Sequence, residues 1–288
     1  MATHATPPAL RARKGSGPPL VMVTAYDTPT ARIADAAGVD LLLVGDSVAM
    51  VVLGYDDTLQ VTVDDIAHHT AAVARAKPAA LVVADLPWLS YHTGPADAVT
   101  NAGRLIRAGA GAVKLEGGRK RLPVVHALVD AEIPVVGHLG LTPQSVLAMG
   151  GFKVQAKAAN EAEALVDDAV ALADAGCFAL VLEGIPDAVA GLVTAAVDVP
   201  TIGIGAGAAC DGQVLVWHDL LGMSEGPRPK FVRTYANLAA DATAAVARWV
   251  EDVRQGAFPS DAESYHLPSG VVIGDVSERI EHSFASRG

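Results

Sequence analysis

Leu41-Leu42-Leu43-Val44-Gly45-Asp46-Ser47 is the most informative segment of this chain. Four apolar residues lead directly into Gly-Asp-Ser, without the alternation of apolar and polar positions that a half-exposed strand shows. An uninterrupted apolar run of this length is typical of a strand that is buried on both faces, as in a parallel sheet. The carboxylate of Asp46 follows at the point where such a strand would end.

The same pattern recurs along the chain, with short apolar runs that end in a residue capable of acid, base or metal chemistry. Four further runs show it: Leu81–Asp85, Ala112–Glu116, Val135–His138 and Leu180–Glu183. Runs over 20–25, 200–205 and 214–217 bring the predicted strands to eight, alternating with helix-like segments. This favours a closed (β/α)8 TIM barrel, in which the carboxyl ends of all strands meet at the catalytic face. A doubly wound sheet is the alternative, but no G-x-G-x-x-G follows an early strand.

The composition restricts the classes of partner. A formal net charge of −11 argues against nucleic acid and against an anionic membrane surface, since either would require a basic patch. Two cysteines, Cys177 and Cys210, lack a paired metal-ligand spacing, which indicates a reduced cytosolic protein. No apolar run approaches the roughly 18 residues that span a bilayer. We therefore expect a cytoplasmic protein.

The order of the segments predicts one large domain. We expect a flexible lead-in over 1–19, a catalytic barrel over 20–265 and a surface tail over 266–288. A helical segment is expected over 236–253. The segment 48–61 is too long for a tight turn, and it is either a lid or substrate loop or a structural excursion.

Two carboxylates at strand ends could hold a hard divalent cation. Asp46 and Asp85 follow neighbouring predicted strands, and Mg²⁺ is typically held by one or two carboxylates together with waters and substrate oxygens. Either residue alone could instead cap the next helix. The presence of Glu116 at the end of the following strand favours a metal site.

Other strand ends carry candidate acid–base groups. Lys114 and Glu116 are two residues apart on one strand, so both side chains face the same side of the sheet. Facing outward, beneath the helices, they would be costly buried charges, so we expect them to face inward, toward the site. The alternative to a catalytic role is a structural ion pair inside the barrel. Glu183, partly desolvated at the end of strand six, is a candidate general base, whereas His138 alone could be a core histidine. We interpret three other histidines as surface or packing residues: His68, His69 and His92.

These residues lie in six sequence blocks: Val44–Ser47, Ala84–Pro87, Val113–Gly118, Gly137–Gln144, Gly203–Gly207 and Cys210–Val216. Together the blocks resemble the ketopantoate hydroxymethyltransferase family. They occur in the expected order, and the similarity covers roughly residues 19 to 265. The departures are small: Val48-Ala49 stands where the family usually has Leu-Gly, and Gly151-Phe152 where Gly-Tyr is commoner. Neither departure touches a catalytic position.

The resemblance implies a barrel of the phosphoenolpyruvate/pyruvate-like superfamily and an enzyme of pantothenate (coenzyme A) biosynthesis. The implied reaction transfers a hydroxymethyl group from 5,10-methylenetetrahydrofolate to 3-methyl-2-oxobutanoate, giving 2-dehydropantoate. The implied assembly is a cytoplasmic homo-oligomer, a decamer.

The resemblance also implies residue roles. One Mg²⁺ per subunit is served by Asp46, Asp85 and Glu116, the last either directly or through water. The keto acid is contacted by Asp46, Ser47, Asp85, Lys114 and His138. Glu183 is the proton acceptor, with His138 in support.

Two alternatives remain at this point. One is a magnesium-dependent carbon–carbon lyase or mutase that acts on a 2-keto acid, of the phosphoenolpyruvate mutase and isocitrate lyase superfamily. Such lyases typically carry Lys-Lys/Arg-Cys-Gly-His, and neither Cys177 nor Cys210 is followed by Gly-His. The other is a non-enzymatic binding or assembly barrel, which would have little reason to keep charged groups at five strand ends.

Overall fold

The computed structural model describes residues 4–226 and 228–270, together with positions 273, 274, 277, 280 and 285. By its internal contacts the chain divides into two compact units, Met1–Asn237 and Leu238–Gly288. The first unit contains the barrel and the candidate site. The predicted barrel domain over 20–265 stays a prediction.

Eight parallel strands close into a barrel in sequence order, with the eighth pairing with the first. They are β1 (Leu20–Thr24), β2 (Leu41–Val44), β3 (Leu81–Asp85), β4 (Ala112–Glu116), β5 (Val135–Gly140), β6 (Ala179–Glu183), β7 (Thr201–Ile204) and β8 (Gly212–Leu215). The predicted (β/α)8 barrel is therefore confirmed. The eighth strand begins two residues earlier than predicted, because Gly212 pairs with Leu20 and Trp217 already opens a helix.

Helices connect most of the strands. They are α1 (Pro7–Arg11), α2 (Thr28–Ala36), α3 (Val48–Val51), α4 (Val63–Ala74), α5 (Pro95–Arg107), α6 (Leu122–Asp130), α7 (Val146–Met149), α8 (Ala159–Asp174), α9 (Asp187–Ala196), α10 (Trp217–Leu220) and α11 (Leu238–Gln255), with 3-10 turns at Arg119–Arg121, Pro143–Ser145 and Asp261–Glu263. The connection from β7 to β8, residues 205–211, is fully described and contains no helix, so the alternation of strand and helix is incomplete there.

Along each strand, side chains that point outward to the helices alternate with side chains that point into the barrel. Outward-facing residues such as Leu42 and Leu115 belong to the core shared with the helices. Inward-facing residues form a separate apolar cluster that includes Leu41, Leu43, Leu81, Val83, Ala112, Val136, Val181 and Ile202. Both faces are thus apolar, which explains the unalternating runs.

The inward-facing side chains change from apolar to polar at the carboxyl ends of the strands. Continuing the two-residue alternation, Val83 is followed by Asp85, Ala112 by Lys114 and Glu116, Val136 by His138, and Val181 by Glu183. Apolar side chains therefore fill one end of the barrel and polar side chains the other.

The segment before β1 is structured, in contrast to the flexible lead-in that the sequence predicts. Residues Pro7–Arg11 form α1, and Leu10 is buried in the inner apolar cluster. Lys14 Nζ donates to Thr194 O (2.6 Å) and to Asp211 Oδ2 (2.8 Å). These contacts hold residues 4–19 against the barrel, where Leu10 shields the inner apolar cluster from solvent.

The second unit is described by itself. Its helix α11 spans Leu238–Gln255, close to the expected 236–253, and none of its residues is buried. The predicted tail over 266–288 falls in part outside the described residues. Within the described residues, we find no helix with the length and apolar character needed to cross a bilayer.

Candidate active site

The carboxyl ends of the strands open into a cavity of about 1400 Å³. All seven site residues predicted from the sequence line it: Asp46, Ser47, Asp85, Lys114, Glu116, His138 and Glu183. The segment 48–61 also contributes to the wall, through Met50, Val51, Tyr55, Asp56 and Thr58. This segment therefore lies where a substrate loop would lie.

Asp85 is held from two sides. Its Oδ2 accepts a hydrogen bond from the backbone N–H of Asp46 (2.9 Å), and its Oδ1 lies 3.0 Å from Lys114 Nζ. Gly45 leaves room for Ser47 beside this contact: a Cβ there would lie 2.8 Å from Ser47 Oγ, whereas its 3.5 Å distance from Asp85 Oδ2 is an ordinary contact. The Gly-Asp-Ser sequence thus places the Asp46 backbone and the Asp85 carboxylate in contact.

A chain of polar contacts runs from Lys114 to Glu183. Lys114 Nζ lies 3.3 Å from His138 Nδ1, which is also 3.3 Å from Glu116 Oε1. On the other side of the ring, His138 Nε2 is 3.2 Å from Glu183 Oε2. The Glu183 side chain is 17% exposed, whereas that of His138 is 3% exposed, so Glu183 is the end of the chain that solvent or a substrate reaches.

The backbone at Gly140 sets the position of Glu183. Gly140 ends β5 with a φ of +92°, and a Cβ there would lie 2.2 Å from Glu183 O. Beyond this glycine, the backbone N–H of Leu141 donates to Glu183 O (2.8 Å). Any side chain at position 140 would separate the ends of β5 and β6 and move the His138–Glu183 pair apart.

The buried carboxylates carry an excess of negative charge. Burial raises the pKa of Asp46 well above its ordinary value, and Asp85 and Glu116 add to the rise. Burial also raises the pKa of Asp85, although Lys114 opposes it. For Glu116, burial is outweighed by His138 and Lys114, so its pKa is lowered. Burial lowers the pKa of Lys114, but the three carboxylates raise it above its ordinary value.

His138 has a raised pKa. Burial and the nearby Lys114 act to lower it, but the contacts with Glu116 and Glu183 outweigh both and raise the pKa of His138 to about 9. His138 can therefore carry a proton between its two carboxylate neighbours at neutral pH. Its position next to Glu183 makes the two side chains an acid–base pair.

The donor set fits a magnesium ion that is only partly coordinated by protein. Among the described residues, no group of three or more His, Cys, Asp or Glu side chains is placed as a complete metal-binding set. Mg²⁺ does not need three direct protein ligands, because it keeps waters and substrate oxygens, and a carboxylate such as Glu116 can act through one of those waters. Asp85 Oδ1 and Glu116 Oε1 are buried, and neither accepts a hydrogen bond of good geometry in the described chain, although ionic contacts reach both. Hard, under-satisfied oxygens of this kind suit a divalent cation.

Sequence reasoning missed two groups of residues that support the site. Gln144 and Tyr91 are buried behind Asp46 and Glu116. Tyr26 is buried as well, with its hydroxyl 2.9 Å from Ser47 Oγ, and burial raises its pKa. The available signal for Gln144 was its place in the block Gly137–Gln144 that carries the resemblance, beyond the end of β5.

The three histidines interpreted as surface or packing residues lie outside the cavity wall. His68 is exposed, and His69 Nδ1 is hydrogen-bonded to Tyr26 O (2.7 Å). His92 packs against the Tyr91 ring, with centroids 4.2 Å apart, and burial lowers its pKa to about 4. Their positions agree with a packing role.

A closed parallel barrel with acid, base and cationic side chains gathered at the carboxyl ends of its strands defines the class: this is a TIM-barrel enzyme. The sequence profile described as ketopantoate hydroxymethyltransferase matches residues 4–261. The chain belongs to this family, and it is a transferase.

Two relatives illustrate the match. The 3-methyl-2-oxobutanoate hydroxymethyltransferase of Moorella thermoacetica is 58% identical over 264 residues, covering 91% of this chain and 98% of the relative. The 3-methyl-2-oxobutanoate hydroxymethyltransferase 2 of Bradyrhizobium diazoefficiens is 58% identical over 263 residues, covering 91% and 90%. The hydroxymethyltransferase activity predicted from the motifs is therefore confirmed at the level of the family.

Solved structures of low sequence identity share the barrel fold of this chain. The phosphoenolpyruvate phosphomutase from Streptomyces platensis subsp. rosaceus superposes with a TM-score of 0.58 at 18% identity, covering 98% of both chains. A 2,3-dimethylmalate lyase, described as a member of the PEP mutase/isocitrate lyase superfamily, superposes with a TM-score of 0.57 at 18% identity. The match covers 99% of this chain and 100% of the lyase. At this identity the likeness shows the barrel fold alone, so it gives no support to the lyase or mutase alternative.

Proposed function

We propose that the protein transfers a hydroxymethyl group from 5,10-methylenetetrahydrofolate to 3-methyl-2-oxobutanoate, forming 2-dehydropantoate for pantothenate biosynthesis. The observation that carries the proposal is the Glu183–His138 pair, 3.2 Å apart, in the same cavity as the Asp85–Lys114 pair, 3.0 Å apart. One pair can remove a proton, and the other can fix the charge that develops. The family membership supports the keto acid as substrate.

Glu183 is the proposed base. Its carboxylate takes the proton from C3 of the keto acid, and the electron pair of the broken C–H bond moves onto C2, C3 and the ketone oxygen. His138 lies 3.2 Å from Oε2 of Glu183 and, in its protonated form, helps to orient that carboxylate. C3 then forms a bond to the methylene carbon of the folate, whose bonds to the two folate nitrogens break. Water supplies the hydroxyl oxygen of the new hydroxymethyl group, the C3 proton and the remaining water proton end on the two nitrogens, and tetrahydrofolate leaves.

Lys114 and Ser47 are proposed to hold the keto acid. The ammonium group of Lys114 supplies positive charge where negative charge develops on the substrate. Ser47 is oriented by the Tyr26 hydroxyl, 2.9 Å away, so its own hydroxyl can be directed at the substrate carboxylate. Asp46, Asp85 and Glu116 would hold Mg²⁺, which when bound supplies Lewis-acid polarisation of the ketone.

The direct test is turnover. We expect 2-dehydropantoate when the protein is incubated with 3-methyl-2-oxobutanoate, 5,10-methylenetetrahydrofolate and Mg²⁺, and none when any one component is omitted. Chromatography with mass detection identifies the product. Absence of product from folded protein, or full activity after exhaustive chelation, would contradict the proposal and the metal assignment respectively.

The assembly and the location remain proposals that rest on the resemblance. A homo-oligomer, as a decamer, and a cytoplasmic location are expected for a member of this family.

A further inference from the structure

Gln144 is a buried polar residue that the mechanism above does not use. It lies in the 3-10 turn Pro143–Ser145, which follows β5. A buried amide side chain needs partners for two N–H hydrogens and for one oxygen. The identity of those partners shows what the residue holds in place.

Both hydrogens of the Gln144 amide nitrogen are used. Nε2 donates to Asp46 Oδ2 (2.8 Å) and to Leu86 O (3.0 Å), and Oε1 accepts from the Tyr91 hydroxyl (2.6 Å). If the amide were turned over, its oxygen would face a carboxylate and a carbonyl, which are both acceptors. The surroundings therefore fix one orientation of the Gln144 side chain.

The contacts of Gln144 continue to Glu116. The Gln144 backbone N–H donates to Glu116 Oε2 (3.0 Å), and the Tyr91 hydroxyl accepts from the Glu116 backbone N–H (3.2 Å). Gln144 thus holds one oxygen of each of two carboxylates, Asp46 Oδ2 and Glu116 Oε2. The second oxygen of Glu116 is buried and accepts no hydrogen bond of good geometry within the residues described.

We propose that Gln144 is a positioning residue that fixes Asp46 and Glu116 through these inner oxygens, so that their remaining oxygens can bind a divalent cation. The inference rests on the function proposed above, which assigns both carboxylates to Mg²⁺. A neutral amide suits the position because it donates to a carboxylate without adding charge. A Lys or Arg would compete with the metal, and a Glu would repel both neighbours.

Metal binding without substrate is the direct readout, with Mn²⁺ alone as the probe and the free ion measured by electron paramagnetic resonance. Gln144→Met keeps the length of the side chain and the backbone N–H contact with Glu116, but it removes the side-chain hydrogen bonds to Asp46 and Tyr91. The Kd for Mn²⁺ should therefore rise about 10- to 100-fold. In turnover, the Mg²⁺ concentration for half-maximal rate should rise by a similar factor, while kcat at saturating Mg²⁺ falls much less. Gln255→Met makes the same change at an exposed position of α11 and should leave both quantities unchanged.

Tyr91→Phe provides the second variant. It tests the role of Gln144 if circular dichroism shows that Gln144→Met does not fold. It removes the hydroxyl that orients the Gln144 amide and that also contacts the Glu116 backbone, and it leaves the Gln144 side chain in place. The Kd for Mn²⁺ should therefore rise by a smaller factor, about two- to tenfold. A folded variant of Gln144, or Tyr91→Phe, that binds Mn²⁺ with the wild-type Kd would overturn this inference alone. If the wild-type protein itself binds no Mn²⁺, the metal assignment of the proposed function fails, and the inference fails with it.

Discussion

Several charged side chains in this site each contact more than one titratable neighbour. Lys114 lies 3.0 Å from Asp85 and 3.3 Å from His138, so one ammonium group offsets the charge of Asp85 and opposes protonation of His138. His138 in turn contacts Glu116 and Glu183 on opposite edges of its ring. Removing any of these groups leaves a buried partner without its counter-charge, which is costly. Substitutions that preserve shape are therefore the informative ones.

Asp85→Asn should weaken metal and keto-acid binding together. The substitution preserves the shape of the side chain but removes a carboxylate that we assign to Mg²⁺ and that pairs with Lys114. Isothermal titration of 3-methyl-2-oxobutanoate in the presence of Mg²⁺ should show affinity reduced about 10- to 100-fold. Asp64→Asn, at an exposed position of α4, is the matched control. Unchanged binding by Asp85→Asn would remove this residue from the metal and substrate site.

The raised pKa of His138 predicts a pH-dependent contribution to stability. The folded value of about 9 lies above the ordinary value of about 6.5, so the contribution is fully present below pH 6.5 and is lost as the pH rises through 9. The free energy of unfolding of metal-free wild type, relative to that of His138→Gln, should therefore fall between pH 6.5 and 9.5. Urea denaturation across this range measures the difference. A constant difference would contradict the protonated state of His138.

At the scale of elements, the two ends of the strands have different tasks. The carboxyl ends carry the chemistry, whereas α1 and the residues after it cover the amino ends through Leu10 and Lys14. Conservative changes at the covered end should therefore affect stability and leave catalysis intact.

Leu10→Ala should reduce the free energy of unfolding without changing kcat/KM. Leu10 is 3% exposed within the inner apolar cluster, and truncation of a buried leucine typically costs about 2–5 kcal/mol. Leu192→Ala makes the same change at a site 60% exposed on α9 and should cost less than about 0.5 kcal/mol. Equal effects of the two substitutions in urea denaturation would show that α1 does not cover the barrel.

The elements differ in how well the sequence predicts them. Strand ends were predictable because the two-residue alternation continues from Val83 to Asp85 and from Ala112 to Lys114. The spacing along the strand alone therefore shows that these polar side chains point into the barrel. Gln144 was not, because it lies in a 3-10 turn beyond β5, where no periodicity indicates a direction. The packing of α1 depends on the open end of a barrel formed by distant residues, which no local pattern at Thr6–Pro8 encodes.

At the scale of the whole molecule, the family resemblance predicts a homo-oligomer. We expect sedimentation velocity at micromolar concentration to show a homo-oligomer with a mass near ten times that of the 29.4 kDa chain. The net charge of −11 makes association sensitive to ionic strength, so the measurement belongs at physiological salt. A monomer under these conditions would contradict the prediction.

The central claim is that Glu183 removes the C3 proton of a keto acid bound in this cavity. The most direct test is exchange of deuterium from D₂O into C3 of 3-methyl-2-oxobutanoate, followed by proton NMR with Mg²⁺ present and folate absent. Wild type and the exposed control Glu163→Gln should both exchange. Glu183→Gln keeps the size of the side chain but cannot accept the proton, so exchange should fall about 10²- to 10⁴-fold while keto-acid binding is largely retained. Exchange by Glu183→Gln at the wild-type rate would contradict the claim and show that another group removes the proton.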